Sequence, residues 1–156
     1  MEQPPEQNSL KDQMRNIIEE ARMVLPGIQA LFGFQTVAIF NQRFSELPSL
    51  AQDLHLLALA MVVVAIGLVM APAAWHRMVE PHQVSLRTVR LSSRLICWAL
   101  LPLALGLALD MFVVLCLVTS DYAASTAGAV ATLALLLALW FLLPLYGRRR
   151  PPLIIL

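Results

Sequence analysis

Asp110 is the residue whose position most demands a chemical reason, because the stretch around it, LALGLALDMFVVLCLV, is otherwise apolar. The charged form of a carboxyl is expensive in such surroundings, so intramembrane acids are candidates for proton relay or cation binding. By residue count along antiparallel helices, Gln35 in GFQTVAIF and Thr132 in GAVATLAL lie within about a turn of the same depth. Asp110, Gln35 and Thr132 therefore form a candidate intramembrane polar cluster. Two chemistries fit it. A protonated Asp110 donating to Gln35 or Thr132 joins helices; an Asp110 that gives up its proton is a proton or cation site. Insertion energy does not decide between them. An Asp at a helix centre costs ~2.5–3.5 kcal/mol, whereas the fourteen Leu, Ile, Val and Phe residues of 95–118 return about 6 kcal/mol.

The other reactive residues are less promising. His76 and Glu80 in WHRMVEPHQ could share a helical face with His82 nearby, but no third ligand converges and Pro81 breaks the turn, so a solvated loop is expected and no metal. His55, close to Asn41, Gln42 and Asp53, reads as an interfacial residue, although its ordinary titration range permits a pH switch. Cys97 and Cys116 stand nineteen residues apart on one apolar segment, about 28 Å of helix, and read as small buried apolar residues that cannot bond to each other. Phosphate-binding glycine loops, nucleophile elbows, HExxH and aromatic-basic nucleic-acid patches are absent. The expectation is a protein that is not an enzyme, needs no cofactor and has no nucleic-acid partner.

The elements that must position these residues belong to a membrane. Of the 156 residues 59% are hydrophobic and 13% charged, where soluble domains carry about a quarter charged. The expected fold is all-α, an integral membrane four-helix bundle preceded by an amphipathic interfacial helix. Residues 1–8, with Pro4 and Pro5, read as disordered. Ser9 with Asp12 reads as an N-cap for a helix over 9–25, in which Leu10, Met14, Ile17, Ile18 and Ala21 share one face. That helix is expected to lie flat at the headgroups and to end at Pro26 and Gly27. Spans follow at about 26–41, 54–75, 95–118 and 122–146, completing a bundle over 26–147, with a basic tail over 148–156. The short TSD connection makes the last two an antiparallel hairpin.

With four spans, ten lysines and arginines fall on one side and only Arg43 on the other, which predicts that both termini are cytoplasmic. Trp75, Trp98, Trp140 and Tyr146 fall toward that same side. Helices in lipid associate through small residues and interhelical hydrogen bonds, and such seams can be read here. Gln29, Gly33 and Thr36 share a face of the first span, with Gln35 well round the helix from them and facing a third helix or another subunit. Ala60, Val64, Gly67, Ala71 and Ala74 recur along the second, Gly106 lies on the Ala99, Leu103, Asp110 face of the third, and Ala124, Gly128, Ala131 and Leu135 recur in the fourth. Pro102 is expected to kink the third span.

The stretches ARMVLPGIQALFGFQTVAIFNQRF, APAAWHRM and LWFLLP resemble a domain-of-unknown-function family of small bacterial four-span membrane proteins. The resemblance covers nearly the whole chain. Some members carry the name sodium:proton antiporter; the resemblance implies a bacterial inner membrane and four spans and assigns no catalytic residues. Two functions follow as expectations. The first is a structural or interaction module that assembles with itself or another membrane protein through its small-residue faces, with the lipid bilayer as its other partner. The second is a small oligomeric proton- or cation-coupled transporter centred on Asp110.

Overall fold

The computed structural model describes residues 5–80 and 83–148. The order is α1 (Pro5–Ala38), a single turn α2 (Gln42–Ser45), α3 (Ser49–Val79), α4 (Leu86–Thr119), α5 (Tyr122–Leu137), a π-helical turn (Ala138–Leu142) and α6 (Leu143–Arg148). No strand occurs among the described residues. Three helices are long and apolar enough to cross a membrane: Ser49–Val79, Leu86–Thr119 and the run Tyr122–Gly147. The chain is a helical membrane protein.

The N-terminal region departs from expectation. No separate interfacial helix ends at Pro26; α1 runs 34 residues straight through it, about 51 Å in all. Proline removes one donor, and apolar helices tolerate that when neighbours or water satisfy the freed carbonyl. Ser9 is consequently not an N-cap, and its hydroxyl instead accepts from Gln13 Nε2 at 3.4 Å. The apolar face of this part of α1 packs against the start of α4 and Val84 just before it. Met14, 1% exposed, is buried with Val84 and Val89, with Leu10, Ile17 and Ile18 packed around them.

Nor are the connections as long as the apolar runs suggest. The arginine-bearing loop shrinks because α3 continues to Val79 and α4 begins at Leu86, capped by Ser85, whose hydroxyl accepts the Thr88 N–H at 3.2 Å. Charged residues end an apolar run without ending a helix. Pro81, His82 and residues 149–156 lie outside the described residues, as do 1–4; the tail and His82 expectations therefore fall there, while residues 5–8 are helical. The α4–α5 connection is two residues, Ser120 in the left-handed region (φ 54°) and Asp121, whose carboxylate caps Ala123 N–H at 2.8 Å. That tight reversal makes the hairpin.

The central layer packs α3 on α4. Ala51, His55, Ala58, Val62, Ala65, Val69 and Pro72 form the buried face of α3 at alternating steps of three and four. Opposite them, a Cβ on Gly106 would stand 3.2 Å from the Ala58 carbonyl oxygen and 3.2 Å from Val62 Cγ2, so the helices approach there closely enough that an added methyl would have to push its neighbours back by a few tenths of an ångström. Ile28 of α1 joins Val62, Ala65, Val69, Ala99 and Leu103 in the main apolar core.

Several expected seams face the other way. Gln29, Gly33 and Gly67 are exposed, and a Cβ on Gly33 or Gly67 would meet nothing within 4 Å. Ala71 is half-buried, and Thr36, also half-buried, bonds back to the Phe32 carbonyl at 2.9 Å. Within one chain none of these is a helix-packing contact of the kind Gly106 makes. The reason is visible in α3, which carries two small-residue stripes of the same period; Ala51, Ala58, Val62 and Ala65 face inward, and Ala60, Val64, Gly67 and Ala74 face outward. Gly128 does sit against a neighbour, the Leu115 side chain of α4. Cys116 is buried, whereas Cys97 is exposed, against the expectation that both are buried.

Candidate functional site

Three helices each deliver one polar side chain to a single point near the 39–48 connection. Gln35 comes from the last turn of α1, His55 from the second turn of α3, and Asp110 from α4 nine residues before its end. Gln35 Nε2 donates to Asp110 Oδ2. His55 Nε2–H donates to the Gln35 backbone carbonyl at 2.9 Å, and His55 Nδ1 lies 3.5 Å from Asp110 Oδ1. Each bond has a local cause. The final carbonyls of a helix lack intrahelical partners, and His55 supplies one to α1. Asp110 stands on the same α4 face as Ala99, Leu103 and Gly106, so the contact that brings α4 against α3 also brings the carboxyl to the imidazole.

The tautomer follows from the acceptors. A carbonyl oxygen only accepts, so His55 Nε2 carries the hydrogen, and a neutral imidazole then presents a lone pair at Nδ1. Facing that lone pair is a carboxyl oxygen. The contact is attractive only if a proton sits on one of the two, as imidazolium with carboxylate or as imidazole with carboxylic acid.

Burial is graded across the cluster. Gln35 and His55 are each 4% exposed, while the Asp110 side chain keeps 18% of its surface accessible. That surface faces a cavity of about 320 Å³ between α1 and α4, whose wall is apolar apart from the cluster and the rim residues Asn41 and Arg43. Phe44, next to α2's Arg43, closes one side by standing edge-on to the His55 ring at 5.2 Å between centroids and 65° between planes. One polar atom is left over: Gln35 Oε1 is buried without a hydrogen-bond partner. An unmet buried acceptor is costly and is a place for a donor to bind.

Of the sequence-derived cluster, Asp110 and Gln35 are in contact and Thr132 is not part of it. The Thr132 hydroxyl donates to the Gly128 carbonyl of its own helix at 2.9 Å, the back-bond a threonine makes when no other partner is near, and it does not line the cavity. Sequence reasoning missed His55 as a member. Its signal was present: His55 falls on the Ala51, Ala58, Val62 periodicity, which makes it inward-facing once that stripe rather than the outward one is taken as the seam. Gln35, read as lying round the helix from Gln29, Gly33 and Thr36, points inward for the same reason they point outward.

The second polar grouping involves no tertiary site. Glu80 accepts from the Ser85 N–H and Ser85 hydroxyl, both at 2.9 Å, and these bonds, the backbone one foremost, hold its carboxyl below the usual range. Among the described residues no group of three His, Cys, Asp or Glu side chains converges as a metal site.

No curated protein and no solved structure matches the chain. A family model does match, over residues 3–144, nearly the whole length, and its description is a family of unknown function. The helical chain that builds the Gln35, His55 and Asp110 cluster belongs to DUF6328, a family of unknown function.

Proposed function

We propose that this protein is a small proton-linked membrane protein, in which the His55–Asp110 pair binds a proton and exchanges it for a cation. The observation that carries the reading is the 3.5 Å approach of His55 Nδ1 to Asp110 Oδ1 with Nε2–H already committed to a carbonyl. Such a pair is neutral with its proton and singly negative without it. In a medium where an uncompensated charge is expensive, loss of the proton calls for a cation in its place. Asp110 and His55 exchange, Gln35 orients the carboxyl, and Arg43 of α2 is the other charged residue lining the cavity.

The membrane arrangement that goes with this reading has four crossings. The second half of α1 lays Ile28, Leu31, Phe32 and Gln35 along α3 and α4, which supports its lying at their depth and serving as the fourth span. Four crossings in an inner membrane put Arg43 alone on the periplasmic side, with ten lysines and arginines and both termini cytoplasmic. A single copy has the pocket at one end only, so movement across the bilayer takes more than one copy. The outward small-residue stripe of α3 with Gly67, and that of α1 with Gly33, supports assembly through those faces, the interaction role that the composition also favours.

Proteoliposomes carrying an internal pH dye test the reading. Wild-type vesicles given an outward gradient of sodium, potassium or ethylammonium in turn, with the membrane potential clamped at zero, are expected to acidify faster than protein-free vesicles for at least one of these cations; Asp110→Asn and His55→Gln should abolish the difference while the variants keep the wild-type elution volume. Wild-type vesicles that behave as empty ones overturn it.

A further inference from the structure

We propose that the cation exchanged for the proton is an amphipathic primary or secondary ammonium that enters the pocket sideways from the lipid, an inference that rests on the proton-linked reading of the same site. Three observations lead there. The first is the shape of the demand at the polar end. Asp110 offers carboxylate oxygen and Gln35 Oε1 is a buried acceptor without a donor, so the group that completes the site brings positive charge and at least two N–H or O–H donors. An alkylammonium has both. A bare metal ion would need about six oxygen ligands, and this corner supplies few.

The second observation is the remainder of the cavity. About 320 Å³ has room for roughly ten water-sized groups at about 30 Å³ each, and beyond the cluster its walls are Leu31, Phe34, Val113, Val114 and Leu117. Those walls suit a hydrocarbon tail. A small hydrated ion would gain nothing from them.

The third is where the cavity opens. Phe34 of α1 is 76% exposed and Val114 of α4 55% exposed, both among the wall residues, so the slot between α1 and α4 gives onto the lipid-facing surface. Toward the aqueous rim stands Arg43, a positive charge that repels a cation arriving from water. A lipophilic ammonium already dissolved in the bilayer avoids it.

Charge balance fixes the linkage. The protonated pair is neutral; release of the proton to water leaves the site at −1, and the ammonium restores neutrality without any bond to carbon forming or breaking. One proton leaves for each amine bound while the free pair is protonated, so affinity rises about tenfold per pH unit in that range, levels off once the free pair has already lost its proton, and falls above the amine's own titration at about 10.4.

Binding of tritiated decylamine to protein in nanodiscs, with empty nanodiscs subtracted, tests this, with proton release read by a pH dye in the same samples. Saturable binding that strengthens tenfold per pH unit, is at least tenfold weaker for decyltrimethylammonium, and is not competed by sodium or choline supports the proposal. Asp110→Asn should remove it, and Val114→Trp, which narrows the slot and leaves every polar group in place, should weaken it while proton binding by the pair persists. Equal competition by decanol would mean an apolar slot only and overturns the proposal, as does binding of the quaternary amine as tightly as the primary one. Proton binding without any saturable amine binding also overturns it while leaving the proton-linked reading standing; absence of proton binding and amine binding together removes both.

Discussion

The two ends of the helical layer solve the same problem in opposite ways. At the end near residues 39–48, polar side chains 20 and 75 residues apart in sequence meet one another, and each bonds to another helix, with Gln35 Oε1 left over. At the end near residues 80–85, the polar bonds are local, Glu80 to Ser85 five residues on and Ser85 to Thr88 three residues on, while the tertiary contacts are apolar ones, Met14 with Val84 and Val89. Local bonds fix a loop and a helix start. Tertiary polar bonds inside an apolar bundle fix which helices are neighbours, and they leave groups whose protonation matters.

The first way to break the contrast is to disturb both ends at once through the layer between them. Gly106→Leu should be the most damaging single change, about 3 kcal/mol at the upper end of overpacking, because the nearest atom to its new Cβ is the Ala58 backbone carbonyl and cannot rotate away. Gly128→Ala, whose neighbour is the far end of the flexible Leu115 side chain, should cost well under 1 kcal/mol. Unfolding in mixed micelles compares the two; equal costs would show that the close approach at Gly106 is not what holds α3 to α4.

Next comes the pocket end alone. His55→Leu leaves the Gln35 carbonyl and Asp110 each short of a partner, and about 1–2 kcal/mol of stability should go with it, since membrane hydrogen bonds average ~0.6 kcal/mol and two are lost. A double-mutant cycle of His55→Leu with Asp110→Leu should give a coupling near 1 kcal/mol. Additive losses would mean that the two side chains are neighbours without being partners.

What could be read in the sequence divides along the same line. The apolar segments, the α4–α5 reversal and the Ala99, Leu103, Gly106, Asp110 face are properties of a single stretch, and they appear in the structure with small boundary shifts. So does the shared depth of Gln35 and Asp110. Choosing between the two small stripes of α3 was beyond the sequence, because Ala58, Ala65 and Ala60, Gly67 have the same period and similar volume. That ambiguity put Gly67 in a seam; Thr132 entered the cluster because equal depth along antiparallel helices does not say which way a side chain points, and its hydroxyl bonds back to Gly128. Length was the other blind spot: helices continue through charged residues and through Pro26, neither of which interrupts backbone bonding enough to stop them.

At the other end the expected effects are local. Met14→Ala removes a fully buried side chain, yet α1 beyond its apolar core can detach without separating α3 from α4. Faster amide exchange over residues 9–20 is expected, with the unfolding midpoint unchanged within about 0.5 kcal/mol. A global loss of 2 kcal/mol or more, the ordinary cost of such a core truncation, would mean instead that this end is as integral as the pocket.

The smallest effect belongs to Glu80, and its sign is fixed by the direction of its shift. The Ser85 N–H and hydroxyl favour the carboxylate, so the folded-state pKa lies below the ordinary value of 4.5. A depressed carboxyl contributes its stabilisation fully above the ordinary value and loses it as pH falls through the folded-state pKa. Protection of the Ser85 amide against exchange should therefore be constant at neutral pH and fade only in acid, after correction for the intrinsic exchange rate. Glu80→Gln should show the weaker, acid-like protection at every pH, with no change in proton binding at His55 and Asp110. Because Glu80 is held by neighbours in its own loop, any effect of this substitution on the pocket would show that the two ends are coupled through α3 and α4 rather than independent.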